Sequence, residues 1–383
     1  MNDAPAPPGL EALIQEWDGE SVHVHFDRPT GAWIFIALHS TRLGPAGGGT
    51  RMKAYANPAH ALRDALQLAA AMTRKFAVPA WPYGGGKAVI AIPRELDRAS
   101  RAALLRRYGE IVGQLRGLYL TGPDVGTSDS DMDIVAQAGA PYVFGTSAAA
   151  GGRGNSGEAT AAGVLAGIEV VCETLFGSDR LDRRTICVQG AGNVGGHLIR
   201  RLCAAGAKVL FTDVDPATAE QVRAATTAEF VPAEALCETP CDVLAPCALG
   251  GVLDRGTIAR LLCRAVAGAA NNQLATPTDA LRLDRRKILY APDYVVNVGG
   301  AMGLLGIETR GWSQQGAEQE VASSVRRALR EVISVATNAG ITTAAAADQV
   351  ASRNLAAARP RSGVGARARG AAEPAPDSEG EER

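Results

Sequence analysis

The chain has 383 residues, of which 46% are hydrophobic and 21% charged, as is typical of a globular protein. Its length favours two domains, and its formal net charge of −1 argues against electrostatic binding of nucleic acid. We find no signal-peptide pattern at the N-terminus and no uncharged apolar run long enough to span a membrane, so a soluble protein with no membrane partner is expected.

The seven cysteines all lie between Cys172 and Cys263, and none form a C-x-x-C pair. Cys237 and Cys241 are the nearest two, but a second pair of zinc ligands is missing. His23 and His25 would share one strand face, but the sequence offers no carboxylate or further histidine nearby. We therefore expect no metal site, a polar face at the two histidines, and reduced thiols in a cytoplasmic enzyme.

The first part of the chain alternates β-rich runs, glycine loops and helical patterns. In chain order the sequence predicts strands at 21–26 and 32–38, a glycine loop at 44–51, a helix from about 57 to 75, a short strand at 88–92, a helix at 100–115 and a strand at 118–120. Asn57 and Pro58 are typical of a helix start, as is the capping-box spacing of Ser128 and Asp131.

The stretch Ala71–Val89 contains two lysines, and Lys87 directly follows three glycines, Gly84 to Gly86. Glycine lets backbone or ligand approach closely, so this pattern favours an amine held in a tight pocket. Burial there would lower the lysine pKa toward the range that general acid–base chemistry uses. The plain alternative is a glycine turn with a solvated lysine. Asp124 follows a predicted strand, a position at which catalytic residues are common.

The second part carries a nucleotide-binding pattern after a small-residue hinge near 145–157 and a helix at about 158–175. A predicted strand at 185–189 runs into the G-x-G-x-x-G motif 190–195, and then into a helix at 194–205. A further strand at 209–212 ends at Asp213, 23 residues after the first glycine of the motif. This context predicts a dinucleotide fold rather than a chance strand–turn–helix. Asp213 would accept the ribose hydroxyls and repel a 2′-phosphate, which favours NAD over NADP.

Three more strand-like segments, at 242–245, 265–267 and 288–290, run into polar or small-residue loops, and a long helix starts near Glu318. The predicted fold class is α/β with two domains: a mixed α/β substrate domain and a Rossmann-type, doubly wound nucleotide-binding domain, with a cleft between them. The expected bounds are 11–145 for the substrate domain, completed by helices at about 331–357, and 146–330 for the nucleotide domain. Residues 358–383 are expected to be a disordered tail.

The motifs together resemble the amino-acid dehydrogenase family that includes the glutamate, leucine, valine and phenylalanine enzymes. They occur in the family's order between about Gly44 and Leu355: GPAGGGTR, MTRK, GGGK, TGPDVGT, GAGNVG, APCALGG, GAANNQ and YAPDYVVNVGG. The resemblance implies oxidative deamination of an L-amino acid to its 2-oxo acid and ammonia, with NAD as cofactor, in a cleft between two domains. It also implies a homo-oligomer.

The resemblance also implies roles for individual residues. Lys87 would be the catalytic lysine and Asp124 its partner in proton transfer, while Lys75 would hold the substrate carboxylate. Further substrate contacts would come from Gly47, Gly48, Asn271, Ala301 and Leu304. Cofactor contacts would come from Thr160, Gly190, Ala191, Gly192, Asn193, Val194, Gly195, Asp213, Cys247, Ala248 and Asn271.

The substrate side chain is expected to be large and apolar, since the sequence shows no dedicated cation for a glutamate side chain beyond Lys75. Gly47 stands where the leucine enzymes carry a leucine, and Ala301 and Leu304 resemble the phenylalanine branch, so a phenylalanine-like substrate is expected. A leucine, valine or tryptophan enzyme remains the alternative. A catalytically silent NAD-binding regulator would be expected to lack Lys87 or Asp124, and both are present.

Overall fold

The computed structural model describes residues 10–152 and 156–358 and contains two β-sheets. The first sheet and its helices come from the N-terminal part of the chain. The elements are α1 (Leu10–Gln15), β1 (Ser21–Asp27), β2 (Ala32–Ser40), β3 (Ala46–Lys53), α2 (Pro58–Ala77), β4 (Gly84–Ala91), α3 (Arg98–Gln114), β5 (Tyr119–Pro123) and α4 (Asp129–Gly139). Asn57 caps α2 and a Ser128–Asp131 capping box starts α4, as the sequence predicts.

The strand order of the first sheet is β1-β2-β4-β3-β5. β2 is antiparallel to β1 and β4, whereas β3 runs parallel to both β4 and β5. The chain therefore places β3 between two strands that follow it in sequence. This order brings side chains of β3 beside Lys87 on β4 and beside Asp124, which follows β5.

The predicted glycine loop at 44–51 is wrong, because residues 46–53 form a strand, and the predicted short strand at 88–92 instead spans 84–91 and includes the three glycines before Lys87. The glycines are needed because neighbouring backbone lies too close for a side chain. A Cβ on Gly84 would lie 1.9 Å from the Ser40 carbonyl oxygen, and one on Gly85 would lie 2.1 Å from the Thr73 nitrogen of α2. These glycines let β2 and α2 pack against β4, and Lys87 is consequently held by a rigid strand rather than a loop.

The second sheet is built from the remaining strands, with helices between them. The elements are α5 (Gly157–Phe176), β6 (Thr185–Gln189), α6 (Asn193–Ala204), β7 (Lys208–Thr212), α7 (Pro216–Ala225), β8 (Glu229–Phe230), β9 (Val243–Pro246), α8 (Arg255–Arg260), β10 (Ala265–Val266), α9 (Asp279–Arg285), β11 (Leu289–Tyr290), α10 (Asp293–Val296), α11 (Gly299–Arg310), α12 (Gln314–Ala339) and α13 (Thr343–Ala357). All adjacent strands are parallel, in the order β11-β10-β9-β6-β7-β8. This is the doubly wound order, and it places the ligand crevice at the carboxyl ends of β6 and β9.

The last two helices contact both parts of the molecule. α12 packs along α5, where Arg326 pairs with Glu169 and Arg330 with Glu173. α13 reaches α2, because the Asn354 amide donates to the Ala77 and Val78 carbonyls at 2.9 and 3.2 Å. The predicted assignment of residues 331–357 to the substrate domain stays a prediction. The predicted tail lies outside the described residues apart from Ala358, as does the hinge segment 153–155.

α5 is long and apolar enough, by length and composition alone, to cross a membrane. In this fold 67% of its most apolar window is buried, and it packs against α6, α11 and α12. Its apolar composition is therefore explained by its place in the protein core.

Candidate active site

Lys87 and Asp124 form an ion pair at the edge of the cleft. Lys87 is only 5% exposed, and its Nζ lies 3.1 Å from Oδ2 of Asp124. Burial lowers the pKa of Lys87, which the Asp124 carboxylate opposes. Burial alone would raise the pKa of Asp124, but Lys87 and Arg51 outweigh it, so this pKa lies below its ordinary value. The pair therefore combines an ionised carboxylate with a lysine that gives up its proton more readily than a solvated one.

Three further residues, Arg51, Asp64 and Tyr55, form a hydrogen-bonded chain that ends at Asp124, and the sequence predicted no role for them. Arg51 of β3 donates from Nε to Oδ2 of Asp124 at 2.9 Å and from Nη1 to both carboxylate oxygens of Asp64 at 3.0 and 3.2 Å. The Tyr55 hydroxyl donates to Oδ2 of Asp64 at 2.5 Å. The only sequence signal was that Arg51 closes the GPAGGGTR motif. The sequence carried no signal for Asp64 and Tyr55, because only the fold brings Arg51, Asp64 and Tyr55 together.

Lys75, at the end of α2, reaches across the cleft to the nucleotide domain. Its Nζ lies 3.4 Å from Oδ1 of Asn271, and the same oxygen accepts from the Asn297 amide at 2.9 Å. The pKa of Lys75 is lowered to about 8: burial is the largest cause and nearby Lys87 acts in the same direction, whereas Asp293 and Asp124 oppose both. Both predicted lysines and Asn271 thus border one cleft, and Asn297 orients Asn271.

The space beside Gly47 is occupied by protein. A Cβ on Gly47 would lie 3.3 Å from the Phe76 ring and 3.5 Å from Leu305 of α11. Phe76 and Leu305 are both fully buried, and the Phe76 ring packs against Trp81 and Tyr83. The expectation that Gly47 leaves room for a substrate ring stays a prediction; in this structure Phe76 and Leu305 border the position where a side chain would stand.

The other predicted substrate residues differ in their surroundings. A Cβ on Gly48 would lie 1.8 Å from the Gly86 carbonyl oxygen, so this glycine serves the pairing of β3 with β4. On α11, Ala301 is half-buried, and Leu304 lies beside Gly145. One turn later Oε2 of Glu308 accepts from the Gly145 N–H at 2.9 Å. This side of the cleft is therefore apolar, with a carboxylate close by.

The glycine motif forms the turn between β6 and α6. Gly190 has a positive φ of 89°, and a Cβ on Gly195 would collide with the Gly190 carbonyl oxygen at 1.9 Å. Gly192, the N-cap of α6, has no side-chain cap, and a Cβ there would meet no atom within 4 Å. Backbone N–H groups at an open helix start fit a phosphate. Ala191, Asn193 and Val194 complete this turn.

Asp213 lies at the end of β7 beside that turn. Its Oδ2 accepts from the Ala191 N–H at 2.7 Å and its Oδ1 from the Asp215 N–H at 2.9 Å. Across the crevice, the Ala248 Cβ lies 2.8 Å from an ideal Cβ on Gly190, and the Cys247 N–H donates to Gln189 at 2.7 Å. The open turn and the acid at the strand end fit the pyrophosphate and ribose of a dinucleotide.

Thr160 lies in the first turn of α5, where it faces the start of α11. Its hydroxyl donates to the Ser156 carbonyl at 2.8 Å, and it lies 3.3 Å from an ideal Cβ on Gly300. The structure thus groups the predicted nucleotide residues of the turn, Asp213, Cys247 and Ala248 at one sheet edge. Thr160 lies at a separate helix contact.

Known proteins match both parts of the chain. The family described as Glu/Leu/Phe/Val dehydrogenase, dimerisation domain, matches residues 21–139, and Glutamate/Leucine/Phenylalanine/Valine dehydrogenase matches 151–215 and 212–363. A valine dehydrogenase of Streptomyces coelicolor is 41% identical over 366 residues, covering 94% of this chain and 99% of that protein. A leucine dehydrogenase of Thermoactinomyces intermedius is 37% identical over 342 residues, covering 89% and 92%.

Among solved structures, L-tryptophan dehydrogenase from Nostoc punctiforme has a TM-score of 0.80 at 35% identity, covering 91% of this chain and 98% of that one. The expected likeness to the phenylalanine branch is corrected, because these similar proteins are valine, leucine and tryptophan enzymes. With both domains matched, the chain belongs to the glutamate/leucine/phenylalanine/valine dehydrogenase family, oxidoreductases that act on the CH–NH2 group of amino acids.

Proposed function

We propose that the protein catalyses the reversible, NAD-dependent oxidative deamination of a branched-chain aliphatic L-amino acid, leucine or valine, to its 2-oxo acid and ammonia. The observation that carries the reaction is the buried Lys87–Asp124 pair at 3.1 Å, with Lys75 bordering the same cleft. A silent regulator would have no use for a buried, ion-paired lysine, because burying a charge costs free energy without a function to maintain it.

The proposed side-chain preference rests on the volume beside Gly47. Phe76 and Leu305 come within 3.3 and 3.5 Å of an ideal Cβ on Gly47, which supports a substrate side chain smaller than an aromatic ring. The similarity to leucine and valine dehydrogenases supports the same preference. An aromatic substrate is the second candidate, and the 35% identity to a tryptophan dehydrogenase supports it.

In the proposed mechanism Lys75 binds the substrate carboxylate and Asn271 faces it across the cleft. Lys87, in its neutral form, takes a proton from the water that attacks the iminium carbon, and later returns a proton as the amine leaves. Asp124 stays ionised, stabilises the ammonium form of Lys87 and relays the amine proton. Closing Lys75 against Asn271 would also exclude bulk water from the reacting atoms.

NAD is the proposed cofactor, and when bound it would accept the hydride from Cα. The residues that would hold it are the turn Gly190–Gly195, Asp213, Cys247 and Ala248, with Thr160 and Asn271 toward the cleft. Asp213 supports NAD over NADP, because its carboxylate would repel a 2′-phosphate. We also propose a cytoplasmic homo-oligomer; the dimerisation-domain match supports the oligomer.

Reductive amination tests the proposal. The purified protein is supplied with ammonium, NADH or NADPH, and the 2-oxo acids of leucine, valine, phenylalanine, tryptophan and glutamate. The expected result is NADH oxidation with the highest kcat/KM on the aliphatic acids. A higher kcat/KM on the aromatic acids would support the second candidate, and NADH binding with no turnover on any acid would contradict an enzymatic role.

A further inference from the structure

The Asp124 carboxylate is held unevenly. Lys87 Nζ and Arg51 Nε both approach Oδ2, at 3.1 and 2.9 Å. Within residues 10–152 and 156–358, no hydrogen bond reaches Oδ1. Asp124 keeps 24% of its side chain exposed, whereas Lys87 keeps 7%. One carboxylate oxygen is therefore fixed by two cations, and the other accepts no hydrogen bond within the described residues.

Arg51 is itself held by a second carboxylate, that of Asp64. Its Nη1 bonds both oxygens of Asp64, and Asp64 accepts a further hydrogen bond from the Tyr55 hydroxyl. Asp64 lies on α2 and Arg51 on β3, so the pair links the helix that carries Lys75 to the sheet that carries Lys87. A guanidinium held between two carboxylates at such distances has one preferred orientation.

Charged residues from several helices and strands lie around Lys87 and its neighbour Lys75. Arg51 and Lys75 are cationic neighbours, Asp124 and Asp64 are anionic ones, and Asp293 acts on Lys75 from α10. Arg51 lowers the pKa of Lys87, whereas Asp64 raises it. Removing Arg51 or Asp64 should therefore shift the titration of Lys87 in opposite directions.

We propose that Arg51, anchored by Asp64 and Tyr55, is a positioning residue for proton transfer. It fixes Asp124 through Oδ2, so that Oδ1 faces the substrate nitrogen. Its positive charge also makes it easier for Lys87 to release its proton. This inference rests on the proposed function, because it assigns Lys87 and Asp124 their roles in deamination. In this proposal Arg51 acts through Asp124 and Lys87 rather than by contact with substrate or cofactor.

Kinetics on three variants test the proposal in the full-length protein: Arg51→Met, Asp64→Asn and Tyr55→Phe. Arg51→Met should lower kcat about tenfold or more while the KM values for amino acid and NAD change little. Asp64→Asn should have a smaller effect, and Tyr55→Phe the smallest. Arg51→Lys keeps the charge and should recover part of the lost kcat. A raised KM with unchanged kcat in Arg51→Met would make Arg51 a substrate-binding residue and overturn the proposal.

The pH profile supplies a readout that a purely structural role would not move. Neutral Lys87 is the active form, so activity falls as pH falls through its pKa. Arg51→Met raises that pKa and should move the acid limb of kcat/KM to higher pH, whereas Asp64→Asn should move it to lower pH. Shifts in the same direction, or none, would overturn the proposal.

A measurement without turnover separates this inference from the proposed function. The chain has only five lysines, so reductive methylation with 13C-formaldehyde gives few resonances, and a Lys87→Arg variant assigns that of Lys87. The Lys87 titration should shift up in Arg51→Met and down in Asp64→Asn, even if no amino acid on the panel is oxidised. Arg107→Met, which breaks the Arg107–Asp27 pair at the edge of the same sheet, is the matched control and should leave this titration unchanged. An unmoved Lys87 titration in Arg51→Met would overturn the proposal.

Discussion

The turn after β6 and the strands β3 and β4 both contain runs of glycine, but their glycines meet different neighbours. In the turn, Gly190 has a positive φ, and a Cβ on Gly192 would point into open space. In the strands, a Cβ on Gly48 or Gly85 would collide with backbone atoms at 1.8 and 2.1 Å. Gly192 therefore leaves room for a ligand, whereas the strand glycines let strands and a helix pack closely enough to place charged side chains.

The acids at the strand ends differ in the same way. Asp213, after β7, accepts from the backbone N–H groups of Ala191 and Asp215. Asp124, after β5, is held by the side chains of Lys87 and Arg51, which come from two other strands. In the second sheet (the nucleotide sheet) the acid is therefore held by backbone N–H groups. In the first sheet (the substrate sheet) the acid is held by side chains that lie far away in sequence.

The largest expected effect comes from Lys87, the centre of the substrate-sheet site. Lys87→Ala should lower kcat about 10³-fold, because it removes the proposed acid–base group. NADH binding should remain nearly unchanged, since the turn after β6 is untouched. Stopped-flow kinetics and NADH fluorescence titration measure the two quantities. Lys208→Ala, at the exposed start of β7, is the control and should keep full activity. A Lys87→Ala protein that retains most of its kcat would remove Lys87 from the mechanism.

Replacing a packing glycine of the first sheet by a larger residue should lower stability and should lower activity on small and large substrates alike. Gly47→Leu should push against Phe76 and Leu305, lowering the free energy of unfolding by about 1–3 kcal/mol and lowering kcat/KM for aliphatic and aromatic substrates alike. Adding Phe76→Ala to the Gly47→Leu variant should recover stability. Gly47→Ala should lower stability and activity less than Gly47→Leu does. Thermal unfolding and the substrate panel measure these effects. Loss of activity on aromatic acids alone, with stability unchanged, would make Gly47 a wall of the substrate pocket after all.

The smallest effect is expected at Asp213, where the site is built from backbone. Asp213→Ser should weaken NAD binding and reduce the preference for NAD over NADP by about tenfold, because it removes the ribose contact and the repulsion of a 2′-phosphate. The matched control is Asp215→Ser, two residues on, which removes the same charge and can still cap α7. An equal change in both variants, or a preference of the unaltered protein for NADP, would contradict the assignment.

Much of the nucleotide domain could be predicted from sequence because its interactions are local. The strand Thr185–Gln189 has its predicted bounds, and the glycine turn and Asp213 follow it in the expected order. The Asn57 and Ser128 caps were also predictable, since each side chain bonds backbone three residues away. In the same way, the carboxyl ends of consecutive parallel strands meet at one edge whatever the rest of the fold does.

The tertiary structure alone decided what surrounds the two lysines of the cleft, Lys87 and Lys75. Arg51 and Asp124 are 73 residues apart, and Lys75 and Asn271 are 196 apart. Their contacts depend on β3 lying between β4 and β5 and on the closure of one domain against the other, neither of which a local pattern specifies. The same reason explains the misread glycines: without the neighbouring strand and helix, a glycine that permits close packing looks the same as one that forms a loop. Sequence thus determined which groups are present, and the strand order determined which of them meet.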